Sequence, residues 1–320
     1  KLFSFLNDKS QSNHNLYNHI LSVRLQFEEW VKIAALSNLF SRLVYIPILT
    51  ISNSCKAKVN TIEKQGLTLK RYFQTIKEVK TEKGISFLWY GDRRRNIFQV
   101  LGMFITTFNF SFKEFYNHEL SEREVFEEKF FFKYFFKNFI AGGLGGLTSL
   151  SLFYHAELAY NQLISRQKQL VKGEFSYYYR NIVSERGFSG LYRGFSLSSA
   201  HAFFFVGFFF GLYDTFKPLV FGLDAHHFLC IGAAYSTTLC SYILTQPFVK
   251  IKNHHLTKEI NSGILNSIKE ICQKGGMRGL YSKGFSDNKL QSLLGGLILS
   301  GNDYLKQHFK KHAKKDTPKI

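Results

Sequence analysis

GFSGLYRG at residues 187–194 is the middle copy of a short pattern that occurs three times in this chain. The other copies are GISFLWYG at 84–91 and GMRGLYSKG at 276–284. Each runs from a glycine through a few residues to an aromatic and then to a closing glycine. The closing residues, Gly91, Gly194 and Gly284, stand 103 and 90 residues apart in a chain of 320. Self-similarity at a near-regular spacing divides a chain into equivalent units, here thirds. The surroundings of each copy repeat as well: an apolar stretch, a basic segment, the motif, then a second apolar stretch. Six apolar spans follow, at about 31–54, 96–117, 138–163, 196–216, 226–250 and 287–307.

A helix needs about 20 apolar residues to cross a bilayer, so each span is long enough. Small residues cluster inside them, as in AGGLGG at 141–146. In lipid no hydrophobic effect drives helices together, and small residues let them approach closely enough for packing to do so. The expected fold is therefore an all-α membrane protein of six transmembrane helices in three pseudo-symmetric repeats, with short helices between the members of each pair. The repeats are expected at 31–117, 138–216 and 226–307. An extension covers 1–30 and a basic tail 308–320.

The net charge is +19. Nucleic acid is the first partner to weigh at such a value. The chain has no zinc-ligand spacing, no aromatic RNA-binding signature and no basic helix with heptads, and its charge is spread over loops between apolar spans. Anionic lipid accounts for that distribution better. The four cysteines, Cys55, Cys230, Cys240 and Cys272, form no C-x-x-C pair, so neither a metal site nor a disulfide framework is expected. No nucleophile or metal-ligand spacing surrounds the histidines, so no catalytic residues are expected and the chain is not read as an enzyme. Segments 55–95, 164–195 and 250–285 hold 24 Lys and Arg against 8 Asp and Glu, whereas 113–137 holds 5 against 6. By the positive-inside rule the first three face the inner compartment, with both termini on the other side.

Repeats of this kind, each a helix pair joined by a short basic helix, resemble the mitochondrial carrier family, and within it the ADP/ATP carriers. GLYRGFSLSSAHAFFFVGFFFGLYDTFKP at 190–218 is similar to their fourth-helix region, AGGLGGLTSLSLFYHAELAYNQL at 141–163 to their third helix, FNFSFKE at 108–114 to the end of their second, and 280–306 to their sixth. The resemblance covers about residues 30–310. It implies the mitochondrial inner membrane, with the basic loops in the matrix and both termini in the intermembrane space.

The resemblance also shows what has changed. Odd helices of the family carry P-x-[DE]-x-x-[KR], a kink proline and charges for a matrix-side gate. The first copy here keeps only Pro47 of PILTIS, the second only Glu157 of HAELAY, and the third Pro247 and Lys252 of PFVKIK. Glu157 and Lys252 would still be partners, and the other two bridges cannot form. Even helices carry [FY]-[DE]-x-x-[KR] for the opposite gate. Tyr213-Asp214-x-x-Lys217 is intact, Asp303 and Lys306 remain, and the first copy keeps Glu114 but has Asn117 at the position of the base. An acid and base three apart on a helix also form ordinary surface pairs. Of the three cations that contact substrate in ADP/ATP carriers, one is retained as Arg42. The second falls on Phe98 or Leu101 and the third on Gln291. His201, in the former adenine pocket, is either a polar contact in the cavity or a neutral histidine packed between helices, and packing is favoured. The nucleotide signature of three arginines and three methionines reads Lys252-Asn253-His254-His255-Leu256-Thr257.

In the family, helix starts after [WYF]-[KR]-G bind cardiolipin phosphates, since backbone N–H groups at a helix N-terminus favour an anion. Tyr192-Arg193-Gly194 matches fully, and the copies ending at Gly91 and Gly284 match in part. Structural cardiolipin is thus the one cofactor-like group implied. Phenylalanine runs at 130–132, 135–136, 203–205 and 208–210 suit contact with neighbouring subunits or lipid. Together these features lead to the expectation of a degenerate carrier, inactive in transport, that serves as a structural or accessory subunit of an inner-membrane respiratory complex. Its expected partners are subunits of that complex and anionic lipids, not nucleic acid. The alternative is an active solute carrier with altered substrate.

Overall fold

In the computed structural model the described residues are 2–62, 69–90, 93–117, 131–165, 174–221, 227–257, 264–281 and 285–316. Among them there is helix and turn and no strand. The first repeat comprises α1 (Leu2–Ile62), α2 (Leu69–Glu82), α3 (Phe87–Tyr90) and α4 (Arg93–Tyr116). The second comprises α5 (Phe131–Ser165), α6 (Glu174–Arg186), a 3-10 turn (Phe188–Tyr192) and α7 (Phe195–Phe221). The third comprises α8 (His227–Thr257), α9 (Ile264–Tyr281) and α10 (Phe285–Asp316).

The six long helices touch in a closed circuit: α1 with α4, α4 with α5, α5 with α7, α7 with α8, α8 with α10, and α10 back to α1. The short helices α2, α6 and α9 each pack on the odd-numbered span of their own repeat, α1, α5 and α8. Threefold equivalence extends to the backbone. The opening glycine of every motif copy has a left-handed φ, at Gly84 (79°), Gly187 (67°) and Gly276 (57°). A side chain there would meet the steric penalty that makes left-handed backbone rare. At Gly276 this turn breaks α9 in two. The repeated glycine is thus a repeated chain reversal.

By length and composition, three stretches among the described residues are apolar enough to cross a membrane: Leu25–Cys55, Phe188–Val220 and His227–His255. The other three spans, α4, α5 and α10, carry polar or charged residues such as Lys113, Asn138 and Asn302 that turn inward and are buried. Intramembrane polar groups normally face the bundle interior for this reason.

Glycine sets the helix spacing. A Cβ on Gly142 would lie 2.8 Å from the Val206 carbonyl of α7, and one on Gly145 would lie 2.9 Å from the backbone N of Lys113 on α4. One helix, α5, is thereby pressed against neighbours on both sides. The phenylalanine runs expected at the outer surface turn out differently. Phe209 and Phe210 are buried, Phe203 to Phe205 and Phe208 are half-buried, and rings of α7 pack against Phe139, Phe248 and Tyr242. The bare glycine faces of α5 leave room for α7 rings, which explains the inward turn. Phe132 and Phe136 do stay exposed.

A single helix, α1, runs through the boundary expected at residue 30. At 1.5 Å per residue its 61 residues extend about 90 Å, roughly three times the hydrocarbon thickness of a bilayer. Its register against α4 is antiparallel: Phe27 meets Phe112, Asn38 meets Thr106 and Thr107, and Arg42 meets Gln99. The N-terminal arm therefore leaves the bundle at the end where α4, α7 and α10 finish.

Candidate functional site

At that end lies a cluster of three acids and three lysines. Lys113 of α4 reaches Asp214 of α7 at 2.6 Å, Lys217 of α7 reaches Asp303 of α10 at 2.7 Å, and Lys306 of α10 reaches Glu114 of α4 at 2.5 Å. The three even-numbered spans of the family pattern are tied in a triangle. Lys113 also contacts Glu114 at 3.0 Å, and the Tyr213 hydroxyl donates to Asp303 at 2.7 Å.

Every residue expected at this gate takes part. The cation that position 117 lacks comes from Lys113, which inspection of the motif missed. Positions 113 and 117 are four apart, so they share a helix face and differ by one turn in depth. The cation has moved one turn inward, and its side chain is only 7% exposed. Asn117 instead donates to Asn138 of α5 at 2.8 Å. Below the ion triangle the interior is filled. Ala34, Phe110, Val206, Phe209, Phe210, Tyr213, Ala234, Ile298 and Leu299 form one buried cluster drawn from α1, α4, α7, α8 and α10. Phe110 meets Phe210 edge to face at 4.8 Å, and Lys113 sits 5.3 Å from the Phe210 ring centre. At this end a buried aromatic cluster thus lies against the ion triangle.

Among the described residues the opposite end has fewer and longer charge contacts. Lys252 of α8 and Glu157 of α5 are brought together at 3.5 Å, about an ångström longer than the contacts of the triangle. At the corresponding positions of α1, Leu49 and Ser52 carry no charge, and Thr50 bonds back to the Ile46 carbonyl at 3.0 Å. Val249 stands where α8 would place an acid. Pro47 and Pro247 both lie inside their helices, as the motif requires. His254, within the lost nucleotide signature, approaches Glu270 of α9 at 3.8 Å.

Between the two ends sits Arg42, 6% exposed. It donates through Nη1 to the side-chain carbonyl of Gln99 and lies against Gly102 of α4. Gln99 occupies neither of the positions, 98 and 101, to which alignment assigned the second-helix cation. The retained cation is therefore bonded to a neutral amide of the next helix. His201 stacks on Phe205 at 5.7 Å and 18°, and its Nε2 is buried. That arrangement is the packed one. Gln291 is exposed on α10. These three residues do not form a cluster of cations.

Of the motif residues, Tyr192 is exposed, Arg193 is half-buried and Gly194 has a φ of 75° just before α7 begins. Tyr154 of α5 donates to the Arg193 carbonyl at 2.5 Å, which anchors this copy to the span that precedes it. Gly91 and Gly284 lie outside the described residues.

The pattern of three helix pairs and two end networks can be set beside known proteins. The sequence model of the mitochondrial carrier protein family matches residues 132–223, the whole second repeat. Across 238 residues the chain is 30% identical to an ADP,ATP carrier protein of Chlamydomonas reinhardtii, covering 70% of this chain and 75% of that one. It is 28% identical over 247 residues to the ADP,ATP carrier protein ER-ANT1 of Arabidopsis thaliana, covering 72% and 78% respectively. An ADP,ATP carrier protein of Neurospora crassa is 27% identical over 243 residues. With the circuit of six helices, the repeated glycine reversals and a relative matched over three quarters of its length, this chain belongs to the mitochondrial carrier family, in the neighbourhood of the ADP/ATP carriers.

Proposed function

We propose that this chain is a carrier-fold protein that no longer cycles and serves as a structural subunit of an inner-membrane assembly, such as a respiratory complex. The observation that carries the reading is the imbalance between its ends. Among the described residues, three short ion pairs over an aromatic cluster tie the even-numbered spans together at one end, whereas one longer lysine–carboxylate pair joins spans at the other. Alternating access needs two closures of similar free energy, since a difference of about 5.5 kcal/mol already drives a two-state equilibrium from 1:99 to 99:1. The two family pairs missing at the odd-helix end have lost both partners, so they strand no charge but also supply no attraction to close that end. Removing one partner from a buried pair of the triangle, by contrast, would cost about 3–5 kcal/mol. The middle of the bundle supports the same reading, since Arg42 is engaged by Gln99 and the other two cation positions are filled by uncharged residues.

In this reading the closed end faces the intermembrane space together with both termini, the basic segments face the matrix, and cardiolipin seats at the three motif copies, with Tyr192-Arg193-Gly194 the best match. The N-terminal arm of α1, projecting from the closed end, is the element offered to neighbouring subunits. Two experiments test the reading together. Mitochondria solubilised in mild detergent are run on a native gel, and purified chain is reconstituted in liposomes loaded with ADP. The expected outcome is a high-mass band containing the chain and no saturable ADP/ATP exchange. A free monomer that exchanges solutes would refute it.

Lys113 favours the second reading, an active carrier with altered substrate. A gate that lost its base at position 117 has regained one a turn away. Uptake of a solute other than adenine nucleotide, abolished by Lys113→Met, would establish that reading.

A further inference from the structure

We infer that Trp89 is the latch of the Pro47 bend: its indole N–H takes the helical bond that proline removes, and so fixes the odd-helix end of α1 in a single direction. The inference concerns how this end is held and stands whether or not the chain transports.

An α-helical N–H bonds to the carbonyl four residues earlier. Pro47 has no N–H, so within α1 the carbonyl of Leu43 loses its donor. Leu43 is near the middle of the apolar stretch Leu25–Cys55, and its side chain is exposed on the outside of the bundle. An open carbonyl facing hydrocarbon has no water to bond, which makes it among the least tolerated groups in a membrane protein. The donor that fills the gap comes from the first motif copy. Trp89 Nε1 bonds to the Leu43 carbonyl at 3.1 Å. Trp89 can reach it because the chain reverses at Gly84, the short helix α3 forms, and Leu88 is buried where α3 packs on α1.

The second repeat supplies the contrast. It has His155 in place of proline, so the carbonyl four residues before has an N–H available in its own helix. There the link between span and motif runs the other way, from the Tyr154 hydroxyl to the Arg193 carbonyl. In the first repeat, then, a tryptophan donor stands where a proline has left a carbonyl open. The latch also stands in a repeat whose span carries neither gate charge, at Leu49 or at Ser52. A hydrogen bond beside the proline thus holds a span whose two gate positions carry no charge.

Cys55 lies two turns beyond Pro47 on α1, so a change of direction at the proline would move it. Cys55 is buried and its thiol lies 3.2 Å from the Thr75 hydroxyl of α2. Its alkylation by N-ethylmaleimide therefore reports swinging of this segment. The test uses the full chain in lipid nanodiscs with Cys230, Cys240 and Cys272 replaced by alanine. Trp89→Phe, which keeps a ring and removes the donor, is expected to raise the alkylation rate about fivefold, the equilibrium weight of one net hydrogen bond. In a Pro47→Ala background the helix supplies its own donor, and Trp89→Phe is expected to change nothing. An unchanged rate in the proline background, or the same increase in both, would overturn the latch. If Pro47→Ala does not fold, the ultraviolet resonance Raman band of the indole N–H decides, read in a Trp30→Phe chain where Trp89 is the remaining tryptophan. A hydrogen-bonded N–H is expected, and a free one would overturn the inference.

Discussion

Lys113 is a residue whose role depends on a helix turn. On α4 it shares a face with Asn117 but lies deeper, where it meets Asp214, Glu114 and the Phe210 ring. Replacing it with methionine leaves Asp214 buried without its cation, so Lys113→Met is expected to lower stability by about 3–5 kcal/mol, read as a fall in thermal midpoint in detergent. The exposed Lys133 gives the comparison, and Lys133→Met should cost less than about 1 kcal/mol. The double change Lys113→Asn with Asn117→Lys returns the cation to the usual family spacing and should recover part of the loss. No recovery would mean that depth, and not the shared face, decides the pairing. Arg42 allows a second prediction. With Gln99→Leu its guanidinium loses a charged hydrogen bond in a buried site, and a loss of about 1.5–3 kcal/mol is expected in the same melt. The ends of the even helices were legible in the sequence because acid and base recur at a fixed spacing. Lys113 and Gln99 were not, because each answers to a partner on another helix.

At the scale of elements, the bundle depends on how closely α5 sits between α4 and α7. Gly142→Ala would set a Cβ 2.8 Å from a backbone carbonyl that has no freedom to move. Overpacking of this kind costs about 1–3 kcal/mol. Gly232 of α8 has nothing within 4 Å of its Cβ position, and alanine there should be neutral or stabilise by up to about 1 kcal/mol through helix propensity. Parallel thermal melts of the two variants check the contrast. Opposite signs support glycine-set spacing, and equal destabilisation would argue against it. The glycines of AGGLGG were visible as a packing signal in the sequence. Which neighbour each would meet was not, because adjacent glycines point to different helices, Gly142 to α7 and Gly145 to α4.

For the whole molecule, an ion triangle at one end and, among the described residues, one lysine–carboxylate pair between spans at the other predict one conformation. Spin labels placed near the ends of α4 and α7 are expected to give one narrow distance distribution, unchanged by ADP or ATP. Two populations that shift with an added solute would restore the transporter reading. Breaking the triangle should release the constraint, so Asp303→Asn, which removes the negative charge paired with Lys217 and leaves a single amide oxygen where the carboxylate accepted from both Tyr213 and Lys217, is expected to broaden that distribution.

The sequence alone determined the number of repeats, the order of long and short helices, the kink prolines and the family. These depend on local spacing: glycine wherever the chain must turn left-handed, apolar runs long enough for a bilayer, and charges a helix turn apart. The tertiary structure decided the partners. It turned the phenylalanine runs of α7 inward, in part onto the bare faces of α5, moved the missing gate cation to Lys113, tied Arg42 to Gln99, and set Trp89 on the carbonyl that Pro47 leaves open. Each is a contact between helices far apart in the chain. Burial in a low-dielectric interior requires a buried polar group to find a partner but does not say on which helix, so these pairings were settled only when the six helices closed their circuit.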